Sequence, residues 1–85
     1  MNQQIALVTG ANRGIGFETC RQLAQRGVQV ILTSRDVAKG QAAVDRLAAE
    51  GLTVIYHQLD VSDPESIAGI RDFVEENFGR LDILV

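Results

Sequence analysis

Residues 9–16 read Thr-Gly-Ala-Asn-Arg-Gly-Ile-Gly. Three glycines, Gly10, Gly14 and Gly16, fall where an apolar run gives way to a helix-like run. Without Cβ atoms in the way, backbone N–H groups can approach a bulky anion, and a helix N-terminus adds partial positive charge. A nucleotide pyrophosphate suits that arrangement. A second pair with chemistry, Arg35-Asp36, follows the next apolar run. The remaining polar singletons carry little. His57 has no Cys, His or Ser cluster to join, and Cys20, the only cysteine, reads as a small core residue. The chain shows neither metal-ligand spacing nor a nucleophile–base pair.

Alternating strands and helices must position these residues. IALVT (5–9), VQVILTS (28–34) and TVIYHQL (53–59) are short apolar or β-branched runs that read as strands, and LDILV (81–85) starts a fourth. Helices are predicted between them. Residues 15–26 place Phe17, Cys20, Leu23 and Ala24 on one side; 37–50 place Val37, Val44, Leu47 and Ala48; 64–78 place Ile67, Ile70, Val74 and Phe78. Gly27, Gly51 and Gly79 mark the helix ends, and Asp63-Pro64 starts the third helix with a cap and a proline at its first position. Gly40, inside the second helix, is expected to cost it about 1 kcal/mol relative to alanine. The pattern predicts an α/β fold: a four-stranded parallel sheet in order 3-2-1-4 with flanking helices, half of a doubly wound fold, spanning residues 1–85 as one unit.

Composition narrows the function classes. With 85 residues, 46% hydrophobic and 22% charged, the chain is an ordinary globular sequence with room for one core. A formal charge of −3 gives no reason to expect nucleic acid or an anionic membrane as a partner. No apolar stretch approaches the roughly 20 residues of a bilayer span. The start, MNQQIALV, lacks the basic residues and cleavage site of a signal peptide, so a cytoplasmic location is expected.

Four segments in order resemble one family. TGANRGIG is similar to the T-G-x-x-x-G-x-G fingerprint of the short-chain dehydrogenase/reductases, and LTSRD (32–36), QLDVSD (58–63) and LDILV (81–85) continue the resemblance over essentially the whole chain. Within the family, SRDVAKGQAAVDRL followed by HQLDVSD is most similar to the NADPH-dependent carbonyl reductases. The resemblance implies that Gly10, Gly14 and Gly16 shape a pyrophosphate turn with the Ile15 N–H near the phosphates. It implies that Asn12 and Arg13 flank that turn, Arg13 facing the adenosine ribose, and that Asp60 and Val61 lie beside the adenine. In such folds an acidic residue at the end of the second strand selects NAD, whereas an arginine there accommodates the 2′-phosphate of NADP. Arg35 holds that position, Arg13 could add a second cation, and Asp36 is expected to cap the next helix, so NADP is the expected cofactor.

The family's chemistry rests on a Ser, a Tyr and a Lys, the last two as Tyr-x-x-x-Lys. Tyr56, the only tyrosine, is followed four residues later by Asp60. The chain therefore reads as the N-terminal, NADP-binding part of a carbonyl-reducing oxidoreductase, inactive alone. The alternatives are a free-standing nucleotide-binding module or a minimal half-fold without activity. Leu81, Ile83, Leu84 and Val85 would form an apolar edge, from which self-association through the C-terminal strand is expected.

Overall fold

The computed structural model describes residues 3–85. Four strands, β1 (Ile5–Val8), β2 (Gln29–Ser34), β3 (Ile55–Gln58) and β4 (Ile83–Leu84), alternate with three helices, α1 (Gly14–Gln25), α2 (Val37–Ala49) and α3 (Pro64–Asn77). The sheet is parallel throughout, in the order β3-β2-β1-β4. This is the predicted topology. β1 pairs with β2 from Ile5↔Gln29 to Val8↔Leu32 and with β4 at Ala6↔Ile83 and Leu7↔Leu84.

Side chains on successive residues of β1 and β2 point to opposite faces, and both faces are covered. Ala6, Val8, Val30 and Leu32 pack with Phe17 and Cys20 of α1 and Ala43 and Leu47 of α2. Ile5, Leu7 and Ile31 pack with Leu59 and with Ile70 and Val74 of α3. Continuous apolar runs, rather than alternating ones, are the consequence. Arg21 joins the two helices of the first face: it pairs with Glu18 on its own helix and with Glu50 at the end of α2, 2.7 Å away. The guanidiniums of Arg21 and Arg46 lie 5.0 and 4.5 Å from the Phe17 ring centre, one from each helix.

The inner stripe of α2 differs from the prediction. Gly40, Ala43 and Leu47 are buried with Val44 packed beside them, whereas Val37 is 56% exposed and Ala48 is exposed. Small residues face inward because α2 lies close to the strands. A Cβ built on Gly40 would sit 2.0 Å from Cε1 of Tyr56 and 2.4 Å from Oγ of Ser34. Gly40 is therefore a contact position between α2 and the sheet, not only a weak point in helix propensity. On α3, Ile70 and Val74 are buried as expected, while Ile67 at the N-terminal end of the stripe is 40% exposed. Among the described residues no helix is long and apolar enough to cross a membrane.

Two glycine-to-alanine substitutions separate propensity from packing. Gly69, inside α3, faces open space, so Gly69→Ala is expected to stabilise the fold by about 1 kcal/mol. Gly40→Ala is expected to destabilise it by about 1–3 kcal/mol despite the same gain in propensity, because the methyl overpacks against Tyr56. Urea-denaturation midpoints of the two variants check both signs.

Candidate functional site

Parallel strands send their C-terminal ends to one edge of the sheet, and the turns that leave them meet there. The turn after β1 is tied down on both sides. The Ala11 N–H donates to the Thr33 carbonyl at 2.9 Å, and the Thr33 hydroxyl donates to the Val8 carbonyl at 2.8 Å. On the other side the Thr9 N–H and hydroxyl both donate to the Val85 carbonyl, each at 3.0 Å. Gly10 and Gly14 have φ of 58° and 65°, a region that side-chain-bearing residues rarely enter. Gly16 serves a different purpose: a Cβ there would meet the Ala11 Cα at 3.0 Å and the Gly10 carbonyl oxygen at 3.1 Å. Its absence lets α1 begin directly on the turn.

The helix that begins there has an open N-terminus. The Asp36 carboxylate caps α2 by accepting from the Lys39 N–H at 3.0 Å, and the Asp63 carboxylate caps α3 by accepting from the Glu65 N–H at 3.0 Å. At the same position on α1 stands Arg13, which makes no side-chain cap. The first-turn N–H groups of a helix have no intrahelical acceptor. At Gly14, Ile15 and Gly16 no side chain caps them. Ile15 is 88% exposed beside them.

Beside this open end, Asn12, Arg13, Arg35, Asp36 and Lys39 line a cavity of about 140 Å³. The structure thus brings together Asn12 and Arg13 from the first turn with Arg35 from the end of β2. It also adds Lys39, which sequence reasoning passed over. The sequence signal was weak: Lys39 stands in the first turn of α2, but Arg35 precedes the helix, so helical spacing does not bring the two together. Asp36 lines the cavity too, but its carboxylate is engaged at the helix N-terminus, as expected.

Asp60 and Val61 leave the sheet at the same edge but are not among the residues lining the cation cavity. The Asp60 carboxylate accepts from the Ser62 hydroxyl at 2.6 Å and from the Ser62 N–H at 3.0 Å. Those bonds hold its pKa below the usual aspartate value, with a smaller pull from Arg35. Its own N–H donates to the Ser66 hydroxyl at 2.9 Å. Val61, 64% exposed, lies with Thr9 on the rim of a second, apolar cavity of about 530 Å³ between α3 and β4.

Cys20 and His57 are not among the residues lining the cation cavity. Cys20 is wholly buried, and burial pushes its thiol up to about 12, so it stays protonated at neutral pH. His57 packs its ring 4.7 Å from that of Phe73. No group of three or more His, Cys, Asp or Glu side chains among the described residues could hold a metal ion. What the site offers is a helix N-terminus without a side-chain cap beside Arg13, Arg35 and Lys39.

The depressed Asp60 pKa carries a pH dependence. A carboxylate whose folded pKa is depressed contributes stability that is present above its unfolded value, near 3.8, and is lost as pH falls through the folded value. Ser62→Ala is expected to raise the Asp60 titration midpoint toward 3.8, since it removes the largest cause of the depression. Carbon-13 shifts of the Asp60 carboxyl across an acid titration measure this directly.

Residues 4–85 match the short chain dehydrogenase family. The chain is 56% identical over 84 residues to a (+)-neomenthol dehydrogenase of Arabidopsis thaliana, covering 94% of this chain and 28% of that protein. It is 54% identical over 82 residues to an NADPH carbonyl reductase of Bos taurus, covering 95% of this chain and 30% of that protein. Among solved structures, a metagenomic short-chain oxidoreductase in complex with NADP superposes with a TM-score of 0.86 at 41% identity, over 95% of this chain and 37% of that one. The chain thus spans under a third of the length of these two curated relatives.

Proposed function

The chain belongs to the short-chain dehydrogenase family, and from that premise we propose that it forms the adenosine and phosphate side of an NADP site in an oxidoreductase that reduces a carbonyl to an alcohol. The cavity shared by Arg13, Arg35 and Lys39 beside an uncapped helix carries this reading. Three cations around one pocket suit a dianionic 2′-phosphate, and the only carboxylate lining it is turned to its own helix. The relatives add weight: one is an NADPH reductase and one neighbour is an NADP complex.

In this reading the N–H groups of Gly14, Ile15 and Gly16 receive the pyrophosphate at the positive end of α1. Gly10 shapes the turn that leads there. Arg35 and Lys39 hold the 2′-phosphate from the β2–α2 side, and Asn12 and Arg13 hold the ribose from the glycine turn. Asp60 and Val61 border the adenine, with the Asp60 loop braced by Ser62 and Ser66. NADPH, when bound, supplies the hydride; this chain's residues bind and orient its adenosine end. A cytoplasmic location belongs to the same proposal.

Hydrogen bonds to charged groups are worth about 1.5–3 kcal/mol, so Arg35→Ala and Lys39→Ala are each expected to lower NADP affinity by about ten- to a hundredfold. NAD affinity should change little. Calorimetric titration of each variant with both cofactors checks this, and equal losses for the two would show that the side chains support structure and do not read the phosphate.

The 85-residue chain is also proposed to self-associate through the α3–β4 face. Among the described residues β4 pairs only with β1, and Leu7, Leu59, Ile70, Val74 and Leu84 line the apolar cavity there. The two apolar residues of β4 do not play the same part. Ile83 packs into the core beneath α1 and α2, whereas Leu84 is 69% exposed on the cavity side. Leu84→Lys, rather than Ile83→Lys, is therefore expected to shift the chain toward monomer without loss of fold, as read by sedimentation velocity at high micromolar concentration.

A further inference from the structure

We propose that Tyr56 and Ser34 form a hydroxyl relay that fixes the start of α2 and thereby sets the preference of the cation cavity for a 2′-phosphorylated adenosine. The inference rests on the NADP reading above and deepens it. Neither residue lines the cavity, so both act as positioning residues.

Proton counting gives the relay a direction. The Ser34 hydroxyl lies 2.8 Å from the Asp36 carbonyl oxygen, which can only accept, so Ser34 spends its one proton there. Its oxygen must then accept from the Tyr56 hydroxyl, 3.2 Å away. The Tyr56 proton is shared with the Ser34 carbonyl, also at 3.2 Å. Tyr56 thus grips Ser34 twice, and Ser34 in turn grips Asp36. Ser34, at the centre of the relay, is 2% exposed, while Tyr56 is half-buried.

The peptide at the end of the relay is the one the cavity depends on. The Asp36 carbonyl also accepts the Gly40 N–H at 3.0 Å, the first hydrogen bond of α2, while the Asp36 carboxylate holds the Lys39 N–H. Asp36 stands between the two cations that the β2–α2 connection supplies, Arg35 just before it and Lys39 three residues after. Orienting its peptide orients both. The missing side chain at Gly40 completes the arrangement, because any Cβ there would overlap the Tyr56 ring and push the hydroxyl off Ser34.

The test uses two nucleotide probes that differ only in the 2′-phosphate, adenosine 2′,5′-bisphosphate and adenosine 5′-monophosphate. Dissociation constants are measured for the unsubstituted chain, Tyr56→Phe, Ser34→Ala and the double variant, with urea midpoints recorded alongside. Tyr56→Phe keeps the ring against Gly40 and removes only the hydroxyl. Each single variant is expected to weaken bisphosphate binding by about three- to tenfold while monophosphate binding stays within about twofold. The double variant should lose little more than Ser34→Ala alone, because the two hydroxyls act in series. A purely structural role would lower the urea midpoint and weaken both probes in proportion. That result, or unchanged discrimination in both single variants, overturns the proposal while leaving the NADP reading intact. If the unsubstituted chain binds the bisphosphate no more tightly than the monophosphate, the NADP reading falls first and the relay proposal with it.

Discussion

Parallel pairing of β1 with β2 and β4 is the constraint from which the rest of the molecule follows. Two strands buried on both faces have to be wholly apolar in their middles, so polar chemistry can enter only at strand ends. Parallel order then delivers those ends to one edge. The Thr33 side chain and backbone carry the register into the turn itself: its hydroxyl holds the Val8 carbonyl and its carbonyl holds the Ala11 N–H. The glycine turn is thus an extension of the sheet's hydrogen-bond ladder rather than a loop laid over it, which keeps the open end of α1 in a defined place.

Electrostatics divides the three helices. Asp36 and Asp63 satisfy the N-termini of α2 and α3 with carboxylates. The corresponding position on α1 holds Arg13, whose charge has the same sign as the helix end it precedes. Stability alone would favour an acidic or hydroxyl cap there, worth about 1 kcal/mol. The choice is intelligible when an anion is the intended cap. Arg35 and Lys39 extend the positive region across the same cavity.

Strand and helix order, the glycine turn, both aspartate caps and the pairing of Arg13 with Arg35 were all legible in the sequence, because each depends on short-range spacing or on backbone rules for single residues. The inner face of α2 was not. Periodicity alone gave Val37 and Ala48 the same standing as Leu47, yet Val37 and Ala48 face solvent and Gly40 and Ala43 face the sheet. A helix held close to β-strands needs small residues at the contact, and how close it sits is a property of the neighbours, not of the helix. Lys39 was overlooked for a related reason: a charge on a helix reads as solvated until its first turn is seen to face the next loop.

By itself the sequence determined which segments form strands and helices and the order in which they pair. Apolar runs, glycine positions and capping residues act within a few residues of one another, and the family's four motifs lie along one line of chain. Tertiary structure alone decided how close elements come and which polar atoms meet. Tyr56 reaches Ser34, 22 residues away in the chain, only because Gly40 leaves room between α2 and the sheet. The Asp60 carboxylate turns onto Ser62, and Val61 lines the α3–β4 cavity, two neighbours in the chain drawn to different surroundings. Contacts of that kind depend on distances between elements, which no local pattern of residue types encodes.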